Sequence, residues 1–303
     1  MSAPSHTAAP PAHYENFPVA SWLCPPHLRA PIAAIYHFAR TADDIADEGD
    51  ASPGERLADL RAYREELRAA ALGSVQPSSR WPEVFGPLAY SIAQFALPED
   101  LLADLLSAFI QDIEKTRDGG TYADRAELLD YCRRSANPVG RLLLHLYGVN
   151  DAEALAQSDA ICSALQLINF WQDPNVDLPR RRFYFPLTDC SRRGLTRESF
   201  KVFAPLADAP PPQEAINLIA VESAWARELM TQGAPLVHRL PGRAGWELRF
   251  VVQGGLRILD KIEDLGFDTF SQRPKIGKTD APLLVWRALR MRRQLPPMKA
   301  LPR

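Results

Sequence analysis

No apolar run of the ~18 residues needed for a bilayer span occurs in this 303-residue chain, so nothing in it reads as a membrane-crossing helix. Cysteine is sparse: Cys24, Cys132, Cys162 and Cys190 are too scattered for a paired metal motif or a disulfide framework, and they are expected to be reduced and packed. The formal charge is only -2, without the excess of basic residues that binding to nucleic-acid phosphates demands. No glycine-rich strand-turn-helix segment suggests a dinucleotide site, so NADPH is not expected as a cofactor. The start, Met1 to Ala12, is Pro-, Ala- and Ser-rich and lacks a basic-then-apolar order. It reads as a disordered tail over 1–12 rather than a secretory signal. His13, His27, His37, His145 and His238 show no close metalloprotease-type pairing.

Alternating β-branched strands are also scarce, while apolar residues recur at helical spacing almost throughout. With 46% hydrophobic and 24% charged residues, the chain can build a sizeable core. The expectation is an all-α bundle around a central cavity, one domain over 13–293 and a C-terminal tail over 294–303. Helices are predicted from Pro26 to about Asp47, and from the Ser52-Pro53-Gly54-Glu55 cap through Ala71. Others run from Pro98 toward Thr116, Asp124 toward Tyr147 and Asp151 toward Asp173. Thr196 starts a short one, Pro212 a long one, and another extends from Gly242 to about Leu265. Pro138 should kink its helix near Arg134 to Asn137, because it lacks a donor and clashes with the preceding turn.

Two acidic clusters stand out, Asp43-Asp44-Ile45-Ala46-Asp47 and Asp173-Pro174-Asn175-Val176-Asp177. Residues four apart share a helix face, about 6 Å along the axis, so Asp43 projects with Asp47 and Asp173 with Asp177. Singly, each could be a solvated acidic face. Their neighbours argue otherwise: Ile32, Ile35, Tyr36 and Phe38 precede the first, Leu165, Leu167, Ile168, Phe170 and Trp171 the second, and unpaired buried carboxylates are costly. Two such faces brought opposite each other would form a cage of hard oxygens suited to Mg2+, which completes its shell with phosphate oxygens and water. Arg40, Arg180, Arg181 and Arg182 supply cations for ion pairs or phosphate clamps. Gln166 and Asn169 form a polar stripe that ends in Asp173.

The segments Tyr36-His37-Phe38-Ala39-Arg40 before the first cluster, Gln166-Leu167-Ile168-Asn169-Phe170-Trp171-Gln172-Asp173 and Arg182-Phe183-Tyr184-Phe185-Pro186 resemble the squalene and phytoene synthases in order and spacing, from about Tyr14 to about Arg293. The resemblance implies an all-α isoprenoid-synthase fold acting on isoprenoid diphosphates with magnesium. Asn16 to Trp22, Ser135 to Gly140 and Arg273 to Lys278 are similar to the hydroxysqualene-forming branch of the bacterial hopanoid pathway. That branch implies conversion of presqualene diphosphate and water to hydroxysqualene and diphosphate. The alternatives are a head-to-head prenyltransferase making presqualene diphosphate or phytoene, and a non-catalytic binding protein on the same fold.

On this reading Asp43, Asp47, Asp173 and Asp177, with Asp44 as an outer candidate, hold several magnesium ions. Arg40, Arg182 and the Tyr184 hydroxyl bind the diphosphate, Gln166 and Asn169 bind diphosphate or metal water, and the region of Asn137 helps to orient the water that quenches the cation, with Tyr131 lining the pocket. Pro174 departs from the aliphatic residue usual in the family and is expected to end the helix and displace Asp177. The partners implied are presqualene diphosphate and other enzymes of its pathway, in the cytoplasm. The segment from Ala281 to Arg293, apolar with clustered arginines, could rest peripherally on an anionic membrane face.

Overall fold

The computed structural model describes residues 24–74, 79–201 and 210–291. The motif from Asn16 to Trp22 and both proposed tails lie outside them. Among the described residues the regular elements are helices, and the one extended pairing is an isolated parallel bridge between Tyr122 and Pro186. The order is α1 (Pro26–Asp47), α2 (Pro53–Ala71), α3 (Pro82–Phe95), α4 (Glu99–Asp118), α5 (Arg125–Ser135), α6 (Asn137–Leu146), α7 (Ala152–Gln172), α8 (Pro174–Asp177), α9 (Leu187–Ser191), α10 (Gln213–Gly233), α11 (Gly242–Asp264) and α12 (Ala281–Arg290). Short 3-10 turns cover Arg197–Lys201, Ala234–His238 and Lys278–Asp280.

Local chemistry sets the boundaries. Ser52 accepts from the Glu55 amide while Glu55 returns a carboxylate to the Ser52 amide, a reciprocal cap that with Pro53 starts α2. Asp124 and Asp151 cap α5 and α7 in the simpler one-way form. The predicted helix from Asp124 toward Tyr147 is two helices. The chain leaves helical geometry at Ala136 (φ -120°, ψ -46°), and Pro138 sits in the first turn of α6, where its missing donor costs least. The sequence reading missed α3, whose two prolines and Gly86 dilute its periodicity. Pro82 begins it, and Pro87 lies only one turn inside.

Helix α7 is the axis of the larger core. It packs along α10 and against α5, α6 and α11, burying Ile161, Leu167, Ile168 and Trp171. A second apolar cluster joins α1 to α4 around Ile35, Phe38, Tyr63 and Phe85. There Tyr63 stacks on Phe38 at 5.2 Å and donates its hydroxyl to the Phe38 carbonyl. Burying each such large apolar side chain contributes about 1.5–3 kcal/mol, so these two clusters fix where α1 and α7 present their acidic ends.

An ionic group is enclosed against the middle of α10. Arg125 bridges Asp189 at 2.8 Å and Glu222 at 3.2 Å, stacking its guanidinium on Trp225. Glu222 is fully buried, one of its oxygens has no partner, and burial pushes its carboxyl up to about 7 against the pull of Arg125. A carboxyl raised in this way binds more protons folded than unfolded, so the stability of the native chain declines as pH rises from about 4.5 to about 7. Glu222→Gln should remove that slope: its thermal midpoint, compared with wild type by calorimetry, should gain relative ground from pH 5 to pH 8. A constant difference across that range would contradict the assignment.

Candidate active site

Asp43, Asp44 and Asp47 lie in the last turns of α1, where the helix leaves its buried face and reaches solvent. Arg40, one turn earlier, contacts Asp43 at 2.9 Å, Asp44 at 2.7 Å and Glu48 at 3.0 Å on the exposed rim. Asp43 is partly enclosed, and burial followed by the adjacent Asp47 carboxylate pushes its own carboxyl up to about 6 despite Arg40.

The second cluster folds as Pro174 predicts, with a different consequence. Helix α7 stops at Gln172, Asp173 is the junction, and Pro174–Asp177 forms a separate turn closed by the Asp177 amide on the Asp173 carbonyl at 2.9 Å. Asp177 therefore stays in the same turn as Asp173. Arg181 takes a left-handed conformation (φ 64°) that reverses the chain, and the Arg182 amide returns to the Asp177 carbonyl at 3.0 Å. Such backbone costs a β-carbon-bearing residue about 1 kcal/mol or more. The reversal aims Arg182 across the bundle, where its guanidinium pairs with Asp47 of α1. This ion pair, between residues 135 apart in sequence, joins the two acidic motifs.

A sixth aspartate, from outside the two motifs, completes the group. Asp112, midway along α4, accepts the Tyr131 hydroxyl at 2.5 Å, and its field reaches Asp47, Asp43 and Arg182. Burial pushes its carboxyl up to about 7. Burial likewise carries Asp177 to about 7, ahead of the opposing pull of Arg182, with Asp173 and Asp112 repelling its charge. The Tyr131 and Tyr184 hydroxyls are held well above the ordinary phenol range, chiefly by burial. Tyr184 stacks on Phe170 at 3.7 Å and forms an aromatic floor with Tyr122 and Tyr131. Arg273 pairs with Asp173, its second nitrogen at 2.9 Å, and Gln172 fixes that segment by donating to the Pro274 carbonyl at 2.6 Å.

Two members of this group, Asp112 and Arg273, were missed as site residues by sequence reasoning. Asp112 interrupts the apolar stretch Phe109-Ile110-Gln111-Asp112-Ile113, and an acid amid a buried helical stripe was the available signal. Arg273 stood in a segment noted only for its resemblance.

The remaining predicted residues lie along α7 and at the α5–α6 break. Gln166 and Asn169 are half-buried, and among the described residues neither side-chain amide has a hydrogen-bond partner. The same side of α7 carries Ser158, Cys162 and Leu165, which line an apolar cavity of about 110 Å³ walled also by Val139, Gly140 and Val251. Cys162 and Asp173 are separated by about 16 Å at helical rise, so one helix links the apolar cavity to the acidic end. A β-carbon on Gly140 would collide with Ser158 and Cys162, so glycine allows α6 and α7 to approach there. Asn137 is buried and shares a 2.9 Å hydrogen bond with Ser163; with its amide nitrogen on that side it also reaches the Cys132 and Asp159 carbonyls at 3.3 Å. Its amide is thus engaged by α5 and α7, not free for a water. His145 is satisfied by the Phe95 carbonyl at 2.8 Å, and the four cysteines are unpaired with one another.

A helical bundle that gathers partly enclosed carboxylates and arginines at the end of α7, with an apolar cavity further along that helix, has the isoprenoid-synthase-type, all-α fold. The sequence pattern of squalene/phytoene synthase matches residues 11–280, and the chain belongs to that family. It is similar to a hydroxysqualene synthase of Sinorhizobium fredii, 34% identical over 82% of this chain and 78% of the relative. It is also similar to a presqualene diphosphate synthase of Zymomonas mobilis, 29% identical over 96% and 94%. The crystal structure of squalene synthase HpnC from Alicyclobacillus acidocaldarius superposes with a TM-score of 0.73 at 36% identity, covering 84% of this chain and 90% of that one. The family's members are enzymes acting on prenyl diphosphates.

Hard carboxylate oxygens at raised affinity for protons suit a small divalent cation. Among the described residues no group of three or more His, Cys, Asp or Glu side chains stands close enough to hold a metal ion; Arg182 pairs with Asp47 and Arg273 with Asp173. The donor chemistry fits, with the arginines in exchangeable ion pairs. Magnesium and inorganic diphosphate added together should raise the thermal midpoint by several degrees, as binding at about 100 times the dissociation constant stabilises by ~2.7 kcal/mol. Asp47→Asn and Asp177→Asn should each lose most of that shift. Asp44→Asn, on the exposed rim, should retain it. An undiminished shift in Asp177→Asn would contradict the grouping.

Proposed function

We propose that this chain is a magnesium-dependent hydroxysqualene synthase, converting presqualene diphosphate and water to hydroxysqualene and diphosphate. The observation that carries the reading is the junction of the two aspartate motifs through Arg182 and Asp47, linked by helix α7 to an apolar cavity further along it. The relatives named hydroxysqualene synthase support the choice of reaction.

Asp43, Asp47, Asp173 and Asp177 would hold the metal, with Asp44 outside them and Asp112 as an added acidic neighbour. Bound magnesium supplies Lewis-acid stabilisation of the departing diphosphate. Arg182 and Arg273 would exchange Asp47 and Asp173 for phosphate oxygens, so that charge developing on the leaving group meets cations already in place. Arg40 would close the exposed side. Gln166 and Asn169, whose amides have no hydrogen-bond partner among the described residues, would bind diphosphate or its associated waters. The carbon–oxygen bond breaks with its electron pair leaving on diphosphate. The aromatic floor of Tyr184, Phe170 and Tyr131 faces the developing cation with ring electrons.

Water then attacks the cation and loses a proton to diphosphate or to the Tyr131–Asp112 pair. Asn137 would act as a positioning residue, holding the α5–α6 break that opens the backbone near the chamber, because its own amide is engaged. The redox-free outcome accords with a sequence that offers no dinucleotide fingerprint.

Purified protein given presqualene diphosphate and magnesium should release diphosphate and yield an alcohol whose mass equals that of hydroxysqualene. Asp47→Asn and Arg182→Ala should each lower the rate by about 100-fold or more, as loss of a group that stabilises the leaving charge typically does. Formation of presqualene diphosphate or phytoene from shorter prenyl diphosphates, with presqualene diphosphate left unconsumed, would assign the chain to head-to-head prenyl transfer instead. Inertness toward every prenyl diphosphate would favour a non-catalytic role.

A further inference from the structure

Apolar side chains left in solvent are concentrated on two packed helices, α11 and α12, and on the segment between them. Of ten large hydrophobic residues exposed among the described residues, six belong to α11, α12 and the segment between them: Trp246, Phe250, Ile276, Val285, Trp286 and Leu289. Scattered exposed hydrophobics are ordinary, whereas a concentration marks a contact surface.

Helix α12 is amphipathic with its apolar side outward. Ala288 is buried against the body, while Val285, Trp286 and Leu289, a helical stripe at spacings of one, three and four, are 46%, 49% and 62% exposed. The helix is held in that orientation rather than loosely placed. Arg249 of α11 donates to the Ala288 and Met291 carbonyls at 2.9 and 3.0 Å, and Arg287 reaches Asp260 at 2.5 Å. At its start, Asp280 is clamped by Arg257 at 2.8 Å and Lys261 at 2.7 Å. On α11, Trp246 and Phe250 are one turn apart, and Ile276 lies over Gly254, one turn further along the same face.

Charge identifies the occupant. From residue 273 to the end, the sequence has nine Lys or Arg and one Asp, in a chain whose formal total is -2; of the cations, Arg273 and Arg287 are paired with Asp173 and Asp260. That Asp, Asp280, is already neutralised by its two cations. Arg290 lies over the Trp286 ring at 4.2 Å and Arg249 over Trp246 at 4.6 Å, so cations are held at the level of the exposed indoles. Indole rings beside arginines, on an apolar face, match the headgroup and upper acyl region of an anionic bilayer. The same helix α11 also walls the internal cavity, through Ala244, Leu248 and Val251. One helix therefore has the apolar chamber on one side and the exposed aromatic residues on another.

We propose that the outer face of α11 and α12 docks on an anionic lipid surface, seating the chamber beside the bilayer. The inference stands independently of which prenyl diphosphate reaction the site performs.

The full chain should co-sediment with vesicles of phosphatidylcholine and phosphatidylglycerol, weaken as salt is raised, and bind phosphatidylcholine vesicles far less. Trp286→Ser combined with Leu289→Ser should reduce binding to the anionic vesicles about tenfold or more, from the lost apolar burial. The thermal shift of that variant with magnesium and inorganic diphosphate should match wild type, which certifies its fold and acidic site. Equal binding to neutral vesicles, no binding to anionic ones, or binding unaffected by the double substitution would overturn the proposal. So would conversion of a dimer to a monomer by the same substitutions without lipid, which would make this face a contact between two copies of the chain.

Discussion

The ion pair between Arg182 and Asp47 is the contact on which the arrangement of the acidic end depends. It ties the segment after the second aspartate motif to the end of α1, across 135 residues of sequence. Enclosing several carboxylates is unfavourable unless cations compensate, and this chain compensates only in part. Asp43, Asp112 and Asp177 all hold protons more tightly than free aspartate, so the group retains an electrostatic demand for positive charge. Arginines meet some of that demand through pairs that a phosphate could take over.

The fold serves this contact through α7 and the chain reversal after it. Trp171 and its neighbours lock the helix into the core, Pro174 ends it, and the left-handed Arg181 returns the chain so that Arg182 faces α1. A continuous helix through residue 182 would carry that arginine about 13 Å beyond Asp173 along the axis. Pro174 is thus accommodated, and Asp177 remains in the electrostatic field of Asp173 and Asp112.

Much of this was legible in the sequence because the governing signals are local. The Ser52–Glu55 cap, the boundaries of α1, the Pro138 break and the pairing of aspartates four apart follow from side chains close in the chain. The misses share a different cause. Helix α3 is apolar on too many sides, and broken by too many prolines, to show a periodic face. Asp112 and Arg273 become site residues only through partners 19 and 100 positions away, Tyr131 and Asp173, and no spacing rule announces such a meeting. Asn137 was correctly placed at a helix break, yet its expected role in orienting water did not foresee that Ser163 and the carbonyls around it engage its amide.

The central claim is that both motifs grip one diphosphate. Crystals grown with manganese and inorganic diphosphate, with the ions located by their anomalous scattering, test it most directly. Metal is expected between the α1 aspartates and the Asp173–Asp177 turn, with Arg182 moved from Asp47 onto a phosphate oxygen. Metal confined to one motif, with the Arg182–Asp47 pair intact and diphosphate bound elsewhere, would contradict it.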